Sequence, residues 1–222
     1  MSKHIDINSM PCNVKELFNT LCNQSFISRY TLFGGTALSI QIYHRLSEDL
    51  DFIYDEEALN INTIKRNITK LFPKHLIIRQ DSKLQIDFVI NDIKLTFFSA
   101  GSISLPFNVS SHALKYKKIN ICNISTLASL KMAAIAQRNT IRDYYDLYYL
   151  AKYHIPLLEI IQKTKSLLPN LSPVTYSETL VYTENIDESN ISGHLKPKEE
   201  INKEQIAAFF TKELIKIKDK IE

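Results

Sequence analysis

Two glycines and two aspartates are the residues of this chain whose types and spacing best suit chemistry. Gly34-Gly35 follows the run Tyr30-Thr31-Leu32-Phe33, and thirteen residues separate Gly35 from Asp49 in Ser47-Glu48-Asp49-Leu50-Asp51-Phe52. Glycines at the end of a strand let the backbone come close to a phosphate, and a helix that starts there offers free N–H groups. Aspartates two positions apart on a strand project from one face. Their like charges repel unless something neutralises them. A divalent cation does so, and Mg2+ prefers carboxylate and phosphate oxygens. Taken singly, Asp-x-Asp is often an exposed strand edge and Gly-Gly only a turn. Together they describe a phosphate-holding turn beside a cation-holding pair.

The elements that must position these residues are legible from periodicity. Val14 to Cys22 has helical apolar spacing. Tyr30 to Phe33 reads as a short strand ending at the glycines, Thr36 to Tyr43 as a helix, and Leu50 to Tyr54 as the next strand. Ile64 to Leu71 fits a helix stopped by Pro73. Leu84 to Val89 and Ile93 to Phe98 read as strands joined by a turn at Asn91-Asp92. Thr126 to Gln137 and Ile141 to Tyr153 are predicted helices split at Asn139-Thr140, and Ile206 to Ile221 closes the chain as another. The stretch Ser172 to Lys198 is polar and gives no clear pattern. Strands in the first half and helices in the second predict an α+β fold. Residues 1–110 are expected to form the core, with 111–222 as a mainly helical C-terminal region packed against it.

Composition is that of an ordinary globular protein, with 45% hydrophobic and 23% charged residues among 222. No apolar run approaches the roughly 18 residues of a membrane span. The N-terminal residues lack the apolar core of a secretory signal. Cys12, Cys22 and Cys122 have neither disulfide-framework nor zinc-site spacing, so a reduced cytoplasmic setting is expected. The net charge of +3 is unevenly spread. Residues 93–142 contain no acid but hold Lys94, Lys115, Lys117, Lys118, Lys131, Arg138 and Arg142, and residues 61–80 are also acid-free and basic. Carboxylates gather at 48–57 and after Glu178. An acidic centre beside basic surface suits a polyanion held near metal ions, although solvated helix faces give the same pattern.

The Gly-Gly turn followed by Asp-x-Asp resembles the nucleotidyltransferase superfamily. The fuller pattern, Gly34-Gly35-Thr36-Ala37-Leu38 with His44-Arg45-x-Ser47-x-Asp49-Leu50-Asp51-Phe52, resembles the AbiEii/AbiGii toxin family. A second block supports this, running Leu130-Lys131, Arg138, Arg142-Asp143, Asp146-Leu147 and Leu150, and Leu180-Val181-Tyr182 is a weaker echo. The resemblance implies a nucleotidyltransferase-like mixed sheet flanked by helices. It also implies a metal-dependent enzyme, using Mg2+ or Mn2+, that moves a nucleoside monophosphate from an NTP to a hydroxyl. The expected acceptor is tRNA or another RNA, the expected role a toxin of a toxin–antitoxin or phage-defence system, and the expected partner a separately encoded antitoxin. Two other readings stay open: modification of a protein hydroxyl or of the protein itself, and nucleotide or RNA binding without turnover.

Carried over by position, the resemblance makes Asp49 and Asp51 the metal-holding catalytic acids, with Lys131 stabilising charge on the triphosphate. Gly34, Gly35, Thr36, Arg45, Ser47, Arg138, Arg142 and Asp146 fall on the side of the substrate. The residues alone leave several of these open. Arg45 could touch phosphate or pair with a carboxylate to fix its loop. Arg142 and Asp146 have the spacing of a helix-surface pair, Asp143 lies at capping distance from Thr140, and Lys131 could simply flank an apolar face. His44 is expected to be structural, and Tyr145, Tyr148 and Tyr149 to be packing.

One position departs from the superfamily. Its third carboxylate is expected on the strand Ile93 to Phe98, where Thr96 stands instead. A two-residue turn at Asn91-Asp92 would set Asp87 opposite Thr96 and on the same face, making Asp87 a candidate third metal ligand. A slip of one residue in register would turn it away.

Overall fold

The computed structural model describes residues 5–74, 76–170, 172–186 and 196–220. The extreme N-terminus, most of the second half of the unpatterned 172–198 stretch, and Ile221 at the end of the expected last helix lie outside the described residues. The chain divides into two compact units. Unit 1 comprises Met1–Tyr43 and Ser47–Asn123, and unit 2 comprises His44–Leu46 and Ile124–Glu222.

Unit 1 contains, in order, α1 (Cys12–Cys22), β1 (Thr31–Phe33), α2 (Gly34–Ile42), β2 (Leu50–Tyr54), α3 (Ile61–Leu71), β3 (Leu76–Asp81), β4 (Gln85–Ile90), β5 (Ile93–Ser99), β6 (Leu114–Tyr116) and β7 (Ile119–Ile121). The strands form one seven-stranded mixed sheet in the order β3-β4-β5-β2-β1-β7-β6. β2 pairs with β1 antiparallel and with β5 parallel, and β1 pairs with β7 parallel. The β4–β5 hairpin follows the expected register. Asn91 and Asp92 have φ of 49° and 65°, and Ile90 pairs with Ile93. Positive φ at both turn residues gives the twist that matches paired strands.

The alternation of strand side chains divides the sheet into two faces. Phe52 pairs with Phe97 and Phe97 with Ile86, so these share one face. Phe52 and Phe97 stack at 5.5 Å, and Tyr30 meets Phe97 edge-on at 5.0 Å. All are buried, as are Phe88, Leu95 and Leu50. The residues between them face the other way, and these include Asp51, Thr96 and Asp87.

Several elements carry no strong local pattern. β3 is largely exposed and its LIIRQD sequence does not alternate. β6 and β7 have three residues each, and they carry the sheet past residue 110 into what the sequence assigns to the helical region.

Unit 2 contains α4 (Ile124–Gln137), α5 (Ile141–Tyr153), α6 (Leu157–Leu167), α7 (Pro173–Val181) and α8 (Lys203–Ile217). α4 packs against α5, α6 and α7, and α8 against α7 and α5. α7 begins inside the polar stretch that periodicity leaves unread. Ser172 caps it by accepting a hydrogen bond from the Val174 N–H at 3.3 Å, and proline occupies its first turn. Ser-Pro is a start signal that does not depend on apolar spacing. In α5, Tyr144 and Tyr145 are buried with Leu147 and Leu150. Among the described residues no helix is long and apolar enough to cross a membrane.

Candidate functional site

In unit 1 the site begins where β1 ends. Phe33 is extended, and Gly34 then turns into the left-handed region at φ +72° as α2 starts. A residue with a Cβ there costs roughly 1–2 kcal/mol. A Cβ on Gly34 would also stand 3.2 Å from Asp51 Oδ2, tighter than ordinary contact. Glycine is thus favoured twice, by its own backbone and by the closeness of the carboxylate. The first turn of a helix has N–H groups without acceptors and a partial positive charge, so Asp51 sits where an anion is favoured.

Asp49 lies one residue before β2 rather than within it. The last β1–β2 pair is Phe33 with Asp51, and α2 takes over at Gly34, so β1 offers Asp49 no ladder partner. Thr36 ties it down instead. The buried Thr36 Oγ1 is within hydrogen-bonding reach of the Asp49 carbonyl and 2.7 Å from Ser47 Oγ. A hydroxyl has one proton, so Thr36 donates to the carbonyl and accepts from Ser47. Thr36 and Ser47 therefore pin the loop that carries Asp49 to the first turn of α2.

Asp51 pairs across the sheet with Thr96, and Thr96 with Asp87. The three form a row on one face, with Thr96 in the middle. Thr96 is fully buried, and among the described residues its Oγ1 has no hydrogen-bond partner. Asp87 is buried, and both of its oxygens have partners. Gln85 Nε2 donates to its Oδ1 at 2.8 Å, and Lys94 Nζ is 3.6 Å from its Oδ2. Among the described residues no three Asp, Glu, His or Cys side chains come together as a metal cluster.

The remaining residues singled out from the sequence belong to unit 2. Asp146 is fully buried and accepts two bonds from Arg45, Nε at 2.5 Å and Nη2 at 2.9 Å. His44 Nε2 lies 2.6 Å from the same carboxylate, and Lys131 Nζ 2.6 Å from its other oxygen. Lys131 Nζ also donates to Asp143 Oδ1 at 2.6 Å. Asp143 Oδ2 accepts from Arg138 Nε at 2.9 Å and Thr140 Oγ1 at 2.5 Å.

Burial opposes each charge, and the partners decide the outcome. Desolvation raises the Asp146 carboxyl, but Arg45, Lys131 and His44 more than offset it and hold it well below the usual carboxylate range. Asp143 is lowered on the same balance, by Lys131 and Arg138 against burial. Burial pulls Lys131 down, yet Asp146 and Asp143 leave it raised. His44 is the exception: burial dominates over Asp146 and lowers it to about 4. The ring is therefore neutral near pH 7 and donates its Nε2–H to the ionised Asp146, and its buried Nδ1 has no partner among the described residues. Arg45 and Lys131 balance Asp143 and Asp146, so the buried core of this network is charge-neutral without any ligand.

These contacts show what each of those side chains pairs with in the folded chain. Arg45 pairs with a carboxylate, 101 positions away. Lys131 is buried rather than flanking an apolar face. Arg142 is exposed, while the Asp146 oxygens face Arg45, Lys131 and His44. Thr140 starts α5 but bonds the Asp143 carboxylate instead of capping through its side chain. The part of Thr36 in fixing the Asp49 loop has no separate sequence signal beyond the Gly-Gly-Thr run. The convergence of His44 and Arg45 on Asp146 has none at all.

A mixed sheet in which a Gly-Gly turn opens a helix against an aspartate of the neighbouring strand defines a nucleotidyltransferase-type protein. The chain belongs to the family described as nucleotidyl transferase AbiEii toxin, type IV toxin–antitoxin system, whose model matches residues 16–79 and 75–219. It is 31% identical over 170 residues to an uncharacterized protein of Aquifex aeolicus, covering 76% of this chain and 78% of that one. Its fold is similar to the crystal structure of JHP933 from Helicobacter pylori, with a TM-score of 0.55 at 19% identity over 98% of this chain and 94% of the other. It is also similar to MenT4, a nucleotidyltransferase toxin of Mycobacterium tuberculosis, with a TM-score of 0.53 at 12% identity over 90% and 86% of the two chains.

Proposed function

We propose that this protein moves a nucleoside monophosphate from an NTP to a hydroxyl of tRNA, with Mg2+ or Mn2+, as the toxin of a toxin–antitoxin or phage-defence system. The observation that carries the reading is the approach of Asp51 to Gly34 at the first turn of α2. The donor set suits a hard cation, because Asp49 and Asp51 offer oxygen only. The glycine leaves beside Asp51 a space that a Cβ would fill. A third protein carboxylate is not needed, since Mg2+ commonly takes one or two carboxylates together with substrate phosphates. When bound, the cation would neutralise triphosphate charge and favour ionisation of the acceptor hydroxyl.

The chain's own residues then divide the work. Asp49 and Asp51 hold the cation. The Gly34 and Gly35 N–H groups receive phosphate oxygens, as helix N-termini do. Thr36 and Ser47 keep the Asp49 loop fastened to that turn. Asp87, one strand beyond Thr96, is proposed as a further carboxylate for the metal, and an Asp87→Asn variant with undiminished activity would remove it from the set.

Family resemblance supports substrate roles for Lys131, Arg45, Arg138, Arg142 and Asp146. Within unit 2 the charges of Arg45, Lys131 and Asp146 are already matched, so their variants must be read beside stability. Arg138 and Arg142 are exposed, and Arg142→Ala tests contact with a polyanion more directly than Arg138→Ala, which also removes the pair with Asp143. The type IV toxin–antitoxin description of the family supports a separately encoded antitoxin as partner.

The test is incubation with each α-labelled NTP, Mg2+ and total tRNA, comparing wild type with Asp49→Ala and Asp51→Ala. Label on tRNA with wild type alone is expected. Full transfer by either folded variant would overturn the metal-site assignment. Label on the protein itself would favour protein modification, and NTP binding without any product would favour a non-catalytic role.

A further inference from the structure

Thr96 presents a buried hydroxyl with no partner among the described residues, between two acids of one row. It is fully buried, and Asp51 and Asp87 are its direct neighbours across the sheet. A valine would have the same shape and carry no unsatisfied polar atom, so packing alone gives no reason for the hydroxyl. Neighbouring strands lie about 4.7–4.9 Å apart, a spacing across which rotation about one bond turns a threonine hydroxyl towards a carboxylate on the same face. The two carboxylates are not equivalent. Both oxygens of Asp87 are engaged, one by Gln85 and the other by Lys94. Asp51 lies against Gly34 at the first turn of α2, where the proposed cation and phosphate would sit.

We infer that Thr96 is a positioning residue for Asp51, its hydroxyl donating to that carboxylate when Asp51 holds the divalent cation. A carboxylate that gives one oxygen to a cation keeps lone pairs for a donor, and a donor there fixes the orientation of the ligand. Loss of such a supporting bond typically lowers metal affinity 10–100-fold. Thr96 thus acts through Asp51 and touches neither the nucleotide nor the acceptor. The inference rests on the proposed role of Asp51 as a metal ligand.

The test is a titration of the full chain with Mn2+ alone, read by the paramagnetic resonance of the free ion, with a thermal melt on each variant. Thr96→Val is expected to melt at or above wild type yet bind Mn2+ at least about 10-fold more weakly. Thr96→Ser, which keeps the hydroxyl, is expected to bind as wild type. If the valine variant does not fold, Thr96→Ala serves the same comparison. Unchanged Mn2+ affinity in the hydroxyl-free variant, with binding lost in Asp51→Asn, would overturn this inference and leave the role of Asp51 standing. No Mn2+ uptake by wild type, or full uptake by Asp51→Asn, would overturn the role of Asp51 and this inference with it.

Discussion

Gly34 and Asp51 are held so close that a β-carbon on the glycine would stand 3.2 Å from the aspartate Oδ2. The glycine also has φ +72°, a conformation that any other residue adopts at a cost. Backbone geometry and carboxylate placement are therefore set by one position. Gly34→Ala is expected to lose about 1–2 kcal/mol of stability in urea unfolding and to lose transfer activity well beyond that loss. A variant with wild-type activity would show that the close approach has no bearing on the reaction.

Thr36 gives a subtler test of the same loop. Thr36→Val removes the donor to the Asp49 carbonyl and the acceptor for Ser47 while keeping the shape of the side chain. Loss of buried hydrogen bonding of this kind costs about 1–3 kcal/mol. Activity should fall with it, and Thr36→Ser should restore both. Equal behaviour of the valine and serine variants would remove the loop-fastening role.

Lys131 is bound on two sides by buried carboxylates, each at 2.6 Å. Lys131→Met leaves Asp143 and Asp146 with one fewer buried cation between them. Breaking a buried ion network in this way costs about 3–5 kcal/mol. The expected result is a large drop in melting temperature, so loss of activity in this variant must be read beside its stability. A melt indistinguishable from wild type would show that the network contributes little to the fold.

His44 sets an acid limit on unit 2. Burial among Asp146, Arg45, Lys131, Tyr145 and Tyr149 lowers the ring from its ordinary 6.5 to about 4. The unfolded chain therefore binds this proton more readily than the folded one. The contribution to stability is complete above about pH 6.5 and is lost as pH falls towards 4, on the order of 3 kcal/mol in all. Asp146, lowered well below its ordinary value, adds loss in the same direction at still lower pH. Urea midpoints measured from pH 7 to 4.5 should decline for wild type, and less steeply for His44→Gln. Parallel declines would exclude His44 as the source.

The elements around the glycines and aspartates are legible in the sequence because their signals are local. A β-rich run ends at two glycines, helical spacing resumes, and a second β-rich run follows, so β1, α2 and β2 are recovered within a few residues. Asn-Asp between two alternating runs specifies the hairpin, and its two-residue turn sets Asp87 opposite Thr96. β3 escapes because an exposed strand imposes no alternation, and β6 and β7 because three residues each are too short a run to show a period. α7 escapes because its start is marked by a cap rather than by periodicity.

By itself the sequence determined the strand–turn–helix that presents Gly34, the nearness of Asp49 and Asp51 to it in the chain, and the β4–β5 register. These follow from backbone preference and turn chemistry over a few residues. Only the tertiary structure decided that β2 lies between β1 and β5, which sets Thr96 beside Asp51 and the Asp51 carboxylate against Gly34. It alone decided that Arg45, His44 and Lys131 converge on Asp146. Such pairings depend on which buried surfaces meet and which charges must be matched once water is excluded, and no spacing along the chain records that.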